Sequence, residues 1–237
     1  MADRPVWLRG EPRRRRPRLS LERIVAAAVG LLDAEGVDGF SMRRLAARLD
    51  AGTMSLYEYV SAKEDVLDLA LDAVLGEIDL SGTDGPGGTG GPGAGAWRDA
   101  LVRHVTQSRR VMRAHPWVPA LVGTRPLLGP NALAGSERVF GILAAAGLAG
   151  DELTAAASAV SSYVTGFVAT ENMWRARMRD PADEADLRRS THEHLAARAD
   201  AYPALAAHSR PENADFDAGF RQGLDIVLDG IAARTGS

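Results

Sequence analysis

The chain has 237 residues, of which 46% are hydrophobic, and this length suits one or two domains with a sizeable core. It contains no cysteine, which excludes disulfides and thiolate chemistry, and no run of about 18 apolar residues, which predicts a cytoplasmic protein without a membrane span. The net charge of −3 gives no hint of nucleic acid, although the segment through Lys63 holds 12 Lys and Arg against 8 Asp and Glu, a balance of +4.

The N-terminal part begins with a basic arm. Residues 1–19 are rich in proline and arginine, a composition that predicts disorder in the free protein. Ser20 is predicted to cap a first helix, because the apolar residues after it recur at the i, i+3, i+4 and i+7 spacing of one helix face. Gly36 is expected to end this helix, since glycine readily adopts the left-handed conformation that follows many last helical turns.

Two short helices joined by a tight turn come next. Ser41 can cap the second helix, residues 50–52 (Asp-Ala-Gly) form the turn, and a third helix is predicted over Thr53–Tyr59. Residues 61–64 (Ser-Ala-Lys-Glu) match a capping box for a fourth helix that runs from about Ala62 to Ile78. This order is typical of a helix-turn-helix, in which the second helix of the pair enters the major groove of DNA.

A glycine-rich segment divides the chain. Residues 81–96 consist mainly of small residues, cannot bury a core, and are predicted to form a flexible linker. The predicted domains are therefore a DNA-binding domain over residues 20–80 and a larger domain over residues 97–237. Helical patterns in the larger domain cover about residues 97–114, 117–122, 130–146, 151–178, 187–199 and 215–233. No strand-like alternation is convincing anywhere, so the predicted fold class is all-α.

Segments near both ends of the chain resemble the TetR family of bacterial transcriptional repressors. The resemblance is carried by Gly39–Leu49 and Met54–Leu67, and by Phe216–Ile231, which looks closest to the branch of the tetracycline repressor. It implies an N-terminal three-helix helix-turn-helix domain and a larger C-terminal helical domain for ligand binding and dimerisation. It also implies a homodimeric regulator of transcription, a repressor that a small-molecule effector releases from double-stranded DNA with an inverted repeat.

The candidate DNA contacts lie on the second and third helices, at the start of the fourth and in the arm. By family position the third-helix residues face base edges, and two tyrosines and a lysine face phosphates. Arginines are further candidates, because guanidinium groups pair with guanine or enter a narrow minor groove. The set is Arg43, Arg44, Thr53, Met54, Ser55, Tyr57, Tyr59 and Lys63, with Arg16 and Arg18 in the arm. The alternatives are a solvated face for the arginines and capping of the small core for the tyrosines.

One residue of the turn departs from the family pattern. Asp50 stands where family members usually have glycine. Aspartate tolerates the left-handed backbone conformation better than most residues, so we expect the turn to form.

The last helix and an alanine-rich helix are the candidate dimer interface. An apolar seam runs along the last helix, and small side chains on the alanine-rich helix allow close approach. In the family, the two equivalent helices of each subunit form a four-helix interface. The candidate residues are Ala159, Tyr163, Phe216, Phe220, Leu224, Val227 and Ile231. The alternative is that one of these faces packs within its own domain.

The resemblance further implies a small-molecule pocket between the helices of the larger domain. The candidates combine aromatic and polar side chains, a make-up typical of ligand pockets. They are His104, Gln107, Trp117, Phe140, Phe167, Glu171 and Trp174. Taken singly, each aromatic residue is as easily explained as part of the core.

Other function classes find little support in the sequence. No nucleophile elbow, phosphate loop or metal-ligand cluster occurs, so no enzyme activity, catalytic residue, metal site or cofactor is predicted. His192 and His194 stand at i and i+2 of a helix and therefore point apart. The alternative function is a ligand-independent or architectural DNA-binding protein that uses the arginine arm.

Overall fold

The computed structural model describes residues 19–79, 96–211 and 215–235, and these residues form eleven helices and no strand. The helices are α1 (Leu21–Gly39), α2 (Met42–Arg48), α3 (Thr53–Leu56), α4 (Lys63–Leu75), α5 (Ala96–Ala114), α6 (Val118–Val122), α7 (Pro130–Ala145), α8 (Gly150–Arg177), α9 (Pro181–Ala196), α10 (Pro203–His208) and α11 (Phe216–Ala232). The predicted all-α fold class is confirmed. The predicted arm, except Leu19, and the predicted linker, except Ala96, lie outside the described residues.

Helices α1 to α4 pack together through buried apolar side chains, and the predicted serine caps fix where α1 and α2 begin. Ser20 Oγ accepts a hydrogen bond from Arg23 N at 3.3 Å at the start of α1. Ser41 Oγ accepts one from Arg44 N at 3.3 Å at the start of α2. The backbone of Gly36 has a φ of +69°, which interrupts α1 before its last turn. The sequence thus located both helix starts and the interruption correctly.

The turn between α2 and α3 depends on Asp50. Its φ of 49° makes it the one non-glycine residue with a positive φ in the described ranges. Aspartate therefore adopts the left-handed conformation that was expected of it. The third helix is shorter than predicted, because α3 ends at Leu56 and residues 57–59 form a turn.

The start of α4 differs from the predicted capping box. The helix begins at Lys63, so Asp65 and not Glu64 occupies the third helical position, from which a side chain reaches back to the cap. Asp65 Oδ2 accepts from Ser61 N at 2.7 Å and from Ala62 N at 3.0 Å. Two backbone N–H groups are thereby satisfied, and the carboxylate also complements the positive end of the helix dipole.

Helix α8 is the centre of the larger domain. Its buried face packs against α5, α6, α7 and α11, and its buried side chains include Leu153, Val160, Val164 and Val168. By length and composition alone α8 is apolar enough to cross a membrane, with a mean hydropathy of 1.2 in its most apolar stretch. A core helix of a folded domain meets the same test, and α8 packs on four neighbours.

Helices α9 and α10 bury no side chain. Helix α9 starts at Pro181, where Asp180 Oδ1 caps it by accepting from Ala182 N at 2.8 Å. Residues 181–186, which precede the helical pattern predicted over about residues 187–199, therefore form the first turns of α9. The reason is that the Asp-Pro pair supplies both a cap and a favourable first position, and these outweigh the lack of an apolar face.

Candidate nucleic-acid interface and internal cavity

The short helix α3 presents its outer side to solvent. Leu56 is fully buried on the inner side of α3, and Val60 is buried in the segment that follows the helix. These two side chains anchor α3 to the core of the N-terminal helices. On the outer side Met54 is 77% exposed, and Thr53 and Ser55 are partly exposed. All three residues predicted to face base edges are therefore at least partly accessible, and they carry methyl and hydroxyl groups of the kind that can meet the major groove.

Arg43 and Arg44 on α2 differ in what they contact. The Arg44 guanidinium is paired with the Glu35 carboxylate, and its Nη1 donates to the Gly39 carbonyl at 3.0 Å. Arg43 is exposed and has no hydrogen bond or ion pair with any described residue. Arg43 is thus the arginine available to DNA, whereas Arg44 already helps to hold α2 against α1.

The predicted phosphate contacts surround the start of α4. Tyr57 and Tyr59 are both exposed in the turn that follows α3. Lys63 is the first residue of α4, and its Nζ lies 5.6 Å from the centre of the Phe40 ring. The Tyr57 phenol and the Lys63 ammonium, beside a helix N-terminus, are suited to phosphate oxygens, whereas the single O–H of Tyr59 is donated within the chain.

Tyr59 contacts Leu19, the last residue of the predicted basic arm. Its Oη donates to the Leu19 carbonyl at 2.8 Å, forty residues earlier in the chain. Leu19, at which the described part of the chain begins, therefore lies next to the candidate DNA surface. Arg16 and Arg18, predicted to enter the minor groove, lie outside the described residues.

A hydrogen-bonded cluster joins the N-terminal helices to the larger domain. His115 Nδ1 lies 2.7 Å from Asp33 Oδ1 of α1, and His115 Nε2 lies 3.2 Å from Glu77 Oε2, just after α4. The Trp117 indole Nε1 donates to the same Asp33 oxygen at 2.7 Å. Trp117 was predicted to line a ligand pocket, but its indole is directed to this junction instead.

The charge of His115 makes this junction sensitive to pH. Burial by itself lowers the pKa of His115, but hydrogen bonds to Asp33 and Glu77 outweigh it and raise the pKa above its ordinary value of 6.5. Because the folded pKa is raised, the protonated ring stabilises the junction fully below about pH 6.5, and this contribution is lost as the pH rises through the folded pKa.

Replacing His115 with glutamine is expected to remove this pH dependence. The melting temperature of the wild type should exceed that of the variant more at pH 6 than at pH 8.5. The reason is that His115 loses its proton over this range, whereas glutamine at the same position has no proton to lose. Thermal denaturation at one fixed protein concentration measures the difference. A gap between the two proteins that is the same at both pH values would contradict the prediction.

A cavity of about 390 Å³ lies between α4, α5, α7 and α8. Its wall contains no Asp, Glu, Lys or Arg among the described residues, and it is mainly apolar. Its polar side chains are His104, Ser108, Asn131, Ser136, Ser158, Ser161, Ser162 and Thr165. In the described ranges no group of three or more His, Asp and Glu is arranged to hold a metal ion. The wall therefore suits an uncharged molecule with a few hydrogen-bonding groups.

Only part of the predicted pocket borders this cavity. His104 and Phe140 line it, whereas Gln107, Trp117, Phe167, Glu171 and Trp174 do not. Gln107 Oε1 accepts from Arg110 Nε at 2.9 Å. The Trp174 indole, near the C-terminal end of α8, donates to Glu184 Oε1 of α9 at 2.9 Å. These side chains satisfy local partners on the outside of the helices.

Glu171 forms a buried ion pair instead of a ligand contact. Its side chain is 0% exposed, and its carboxylate receives both Arg109 Nε at 2.9 Å and Arg109 Nη2 at 3.0 Å. Arg109 Nη2 also donates to Asp217 Oδ1 of α11 at 2.7 Å. The guanidinium carbon lies 4.6 Å from the centre of the Phe220 ring and 5.7 Å from that of Phe167. This cluster joins α5, α8 and α11.

His104 is the one imidazole on the cavity wall. Burial, and secondly the positive charge of Arg138, lower the pKa of His104 to about 4, so the ring is neutral at pH 7. Its Nδ1 is buried and has no hydrogen-bond partner among the described residues. An unpaired buried nitrogen costs free energy unless a ligand or water satisfies it, so His104 is the first candidate for a polar contact.

None of the hydroxyl residues on the cavity wall is among the residues predicted for the pocket. Ser158, Ser161, Ser162 and Thr165 follow one another on α8 at i, i+3, i+4 and i+7, the spacing of one helix face. That periodicity was readable in the sequence. The alanines around these residues, however, equally favour close packing between helices.

The predicted dimer residues divide into two groups. Phe220, Leu224 and Ile231 are buried within the single chain against α8, so they cannot supply new contact area to a second copy. Tyr163 Oη donates to the Phe220 carbonyl at 2.8 Å. A β-carbon at Gly223 would lie 2.4 Å from Tyr163 Oη, so glycine permits this close approach. The seam thus packs largely within its own domain, which was the alternative interpretation.

The other side of the same two helices is accessible. Ala159 is exposed on α8, while Phe216 and Val227 are partly buried on α11. Ile226, which the sequence analysis missed, is 74% exposed on α11. Exposed small residues also occur on both helices: Ala155, Ser162 and Gly166 on α8, and Gly219 and Gly230 on α11. A large exposed aliphatic residue among small ones forms a surface on which another helix can pack closely.

Family models match most of the chain. Residues 24–70 match the model for bacterial regulatory proteins of the tetR family, and residues 89–235 match the tetracyclin repressor-like C-terminal domain. An HTH-type transcriptional regulator of Saccharopolyspora erythraea is 47% identical over 232 residues, which cover 98% of this chain and 92% of that protein. The HTH-type transcriptional repressor DrrR1 of Streptomyces coeruleorubidus is 37% identical over 220 residues, covering 91% and 78% of the two chains.

A solved structure has the same fold. ActR, a TetR family protein of Streptomyces coelicolor crystallised in complex with actinorhodin, is similar with a TM-score of 0.78 and 31% identity. The similarity covers 93% of this chain and 100% of the ActR chain. It therefore extends over helices α1 to α4, which we call the DNA-binding head, and over the cavity and the last helix.

Proposed function

The chain belongs to the TetR family of bacterial regulatory proteins and is a DNA-binding transcriptional regulator, and we propose that it is a homodimeric repressor which a small molecule releases from an inverted-repeat operator. The position of α4 carries this proposal. Its first residue, Lys63, follows the reading helix α3 after a short turn, and its last residue, Leu75, lines the cavity. A ligand in the cavity touches the helix that positions the DNA surface, which is what coupling between two sites requires.

Two copies are needed because one reading helix of four residues offers few base contacts. The accessible side of α8 and α11 around Ile226 is the proposed dimer surface. A twofold dimer presents its two α3 helices to half-sites about one helical turn apart, which makes the operator an inverted repeat. In each half-site we assign base contacts to Thr53, Met54 and Ser55, and a guanine contact to Arg43.

The effector is proposed to be uncharged and largely apolar. The cavity wall has hydroxyls and one neutral imidazole but no Asp, Glu, Lys or Arg in the described part of the chain. ActR, the relative with 31% identity, binds actinorhodin in its crystal structure. By analogy the effector occupies the corresponding space here and places a hydroxyl or carbonyl against His104. No metal ion is needed to hold such a molecule.

The same proposal places the protein in the cytoplasm and assigns it no catalytic activity. The alternative is an architectural DNA-binding protein that relies on its basic arm and responds to no ligand. The two functions differ in sequence preference, because an architectural protein gains its affinity from phosphates and DNA shape.

Selection of duplexes from a random pool by the full chain, at one fixed salt concentration, tests the proposal. We expect a single inverted repeat to emerge and to be preferred over random duplex by about 10³-fold or more. Replacing Arg43 with alanine should weaken binding of the dimer to that duplex about 100-fold, because about tenfold is lost with the bidentate guanine contact in each of the two half-sites.

Arg103 provides the matched control for this substitution. It is exposed on α5 and, like Arg43, has no hydrogen bond or ion pair with any described residue. Replacing Arg103 with alanine should leave the affinity unchanged. Equal affinity for selected and random duplexes would favour the architectural alternative.

A further inference from the structure

Helix α7 is capped by a carboxylate that comes from the DNA-binding head. Asp72 of α4 accepts from Ala132 N at 2.9 Å through Oδ1, and its Oδ2 lies 3.4 Å from Asn131 N. Helix α7 has no side-chain cap of its own, since Gly129 occupies the cap position and Pro130 has no N–H. Asp72 therefore satisfies the two N–H groups that the first turn of α7 would otherwise leave to solvent.

The contact is reciprocal. Asn131 Nδ2 donates to the Asp72 backbone carbonyl at 3.1 Å and to Asp72 Oδ2 at 3.1 Å. The side chain of each residue thus binds the backbone of the other. Four hydrogen bonds link one turn of α4 to the first turn of α7.

Two glycines make this close approach possible. A β-carbon at Gly129 would lie 2.2 Å from Asp72 Cγ, and one at Gly76 would lie 2.9 Å from Asn131 Cγ. Any other residue at either position would collide with the two linked side chains. The sequence therefore accommodates the Asp72–Asn131 contact from both sides.

The partners of Asp72 on α7 also form part of the cavity wall. Asn131 and Ala132 both line the cavity, together with Leu75 of α4. A molecule that presses on these two residues moves the N–H groups that Asp72 binds.

Two other contacts hold α4 and the larger domain together without reaching the cavity. Arg125 pairs with Asp68, one turn earlier on α4, and donates to the Glu64 carbonyl at 2.9 Å. His115 binds Asp33 and Glu77 at the opposite end. Neither Arg125 nor His115 lines the cavity. Among the described contacts between α4 and the larger domain, the Asp72 cap is thus the polar contact whose partners also form the cavity wall.

We propose that Asp72 is the residue through which the cavity controls the DNA-binding head. An occupant of the cavity displaces Asn131 and Ala132, the cap on α7 is lost, and α4 changes its position together with the reading helix. This inference rests on the proposed function, because it needs both a preferred duplex and a cavity whose filling affects DNA binding.

A side chain that fills the cavity replaces the unknown effector in the test. Ala157 is buried and lines the cavity, so Ala157→Phe directs a ring into that space. Affinity for the selected duplex is measured for the wild type, A157F, D72A and the double variant. We expect A157F to weaken binding about tenfold with Asp72 present, and less than about threefold in the D72A background, because coupled residues give non-additive effects.

Asp68→Ala is the matched control. It removes a carboxylate from the same helix and breaks a contact with the larger domain, but its partner does not line the cavity. In that background A157F should still weaken binding about tenfold. Hydrogen exchange at the Ala132 amide should accelerate in D72A and remain slow in D68A, which shows that the intended cap was lost.

The outcomes distinguish a failure of the role proposed for Asp72 from a failure of the proposed control by the cavity. A tenfold effect of A157F that persists in D72A overturns the role of Asp72 and leaves the repressor function standing. No effect of A157F in the wild-type background overturns both the role of Asp72 and control by the cavity. If D72A does not fold, Asn131→Ala removes the side-chain half of the contact, and the same reduction to less than about threefold is required of it.

Discussion

Replacing Ile226 with aspartate is expected to leave the full chain monomeric at micromolar concentration and to weaken its binding to the inverted-repeat duplex about 100-fold or more. Ile226 is 74% exposed in the single chain and stands on the accessible side of α11. In a dimer that buries this side, a carboxylate would lose its hydration without gaining a partner. A monomer carries one head, so the second half-site no longer binds intramolecularly. Sedimentation velocity and DNA titration at fixed salt measure the two effects.

Leu133 supplies a control for the introduced charge. It is 51% exposed on α7, away from the α8–α11 surface, so Leu133→Asp places a similar carboxylate on a different helix. We expect this variant to remain dimeric and to bind DNA normally. If Ile226→Asp also remains dimeric with unchanged affinity, the dimer interface lies elsewhere.

Replacing Glu171 with alanine is expected to lower the free energy of unfolding by about 3–5 kcal/mol, the usual cost of removing one partner from a buried ion pair. Glu171 is 0% exposed, and the Arg109 guanidinium that it binds is enclosed by α5, α8 and α11. Without the glutamate, the buried cation retains only the Asp217 carboxylate, which lies at the surface. Chemical denaturation at fixed protein concentration measures the loss.

Two further variants test whether the loss in Glu171→Ala comes from removing a buried negative charge. Asp217→Ala removes a carboxylate that is 58% exposed and binds the same guanidinium, and we expect a loss below about 1 kcal/mol. Glu171→Gln keeps the shape and some hydrogen bonds, so its effect should lie between the other two. Equal losses for Glu171→Ala and Asp217→Ala would show that burial does not govern the strength of this cluster.

The DNA-binding head was predictable because its signals are local. The caps of Ser20 and Ser41, the left-handed Asp50 and the order of the four helices all follow from neighbouring residues. The start of α4 was misjudged by one position, which exchanged Asp65 for Glu64 as the capping side chain. Boundaries shift by a residue or two when a helix can begin at either of two adjacent positions.

The cavity was less predictable because a pocket is a property of several helices at once. Phe140 and Phe167 are both aromatic residues on helices of the larger domain, yet Phe140 lines the cavity while Phe167 packs against Phe220 at 5.2 Å between ring centres. Nothing in the local sequence distinguishes these two environments. The residues around Glu171 do not indicate its ion-pair partner either, because Arg109 lies 62 residues earlier in the chain.

The dimer seam shows the same limit on a single helix. Apolar residues of α11 recur on one face, and that periodicity correctly predicted a buried side. It could not say whether the covering surface is α8 of the same chain or a second copy. Ile226 stands outside the periodic face, so a search for periodicity passed over it.

Hydroxyl-radical footprinting of the full chain on the selected duplex tests most directly whether two identical heads read two half-sites. We expect two protected patches of equal size, related by a twofold axis, with centres about 34–36 Å apart on one side of the duplex. Two chains should be bound per duplex. A single protected patch, or protection without twofold symmetry, would contradict the proposed dimeric mode of DNA recognition.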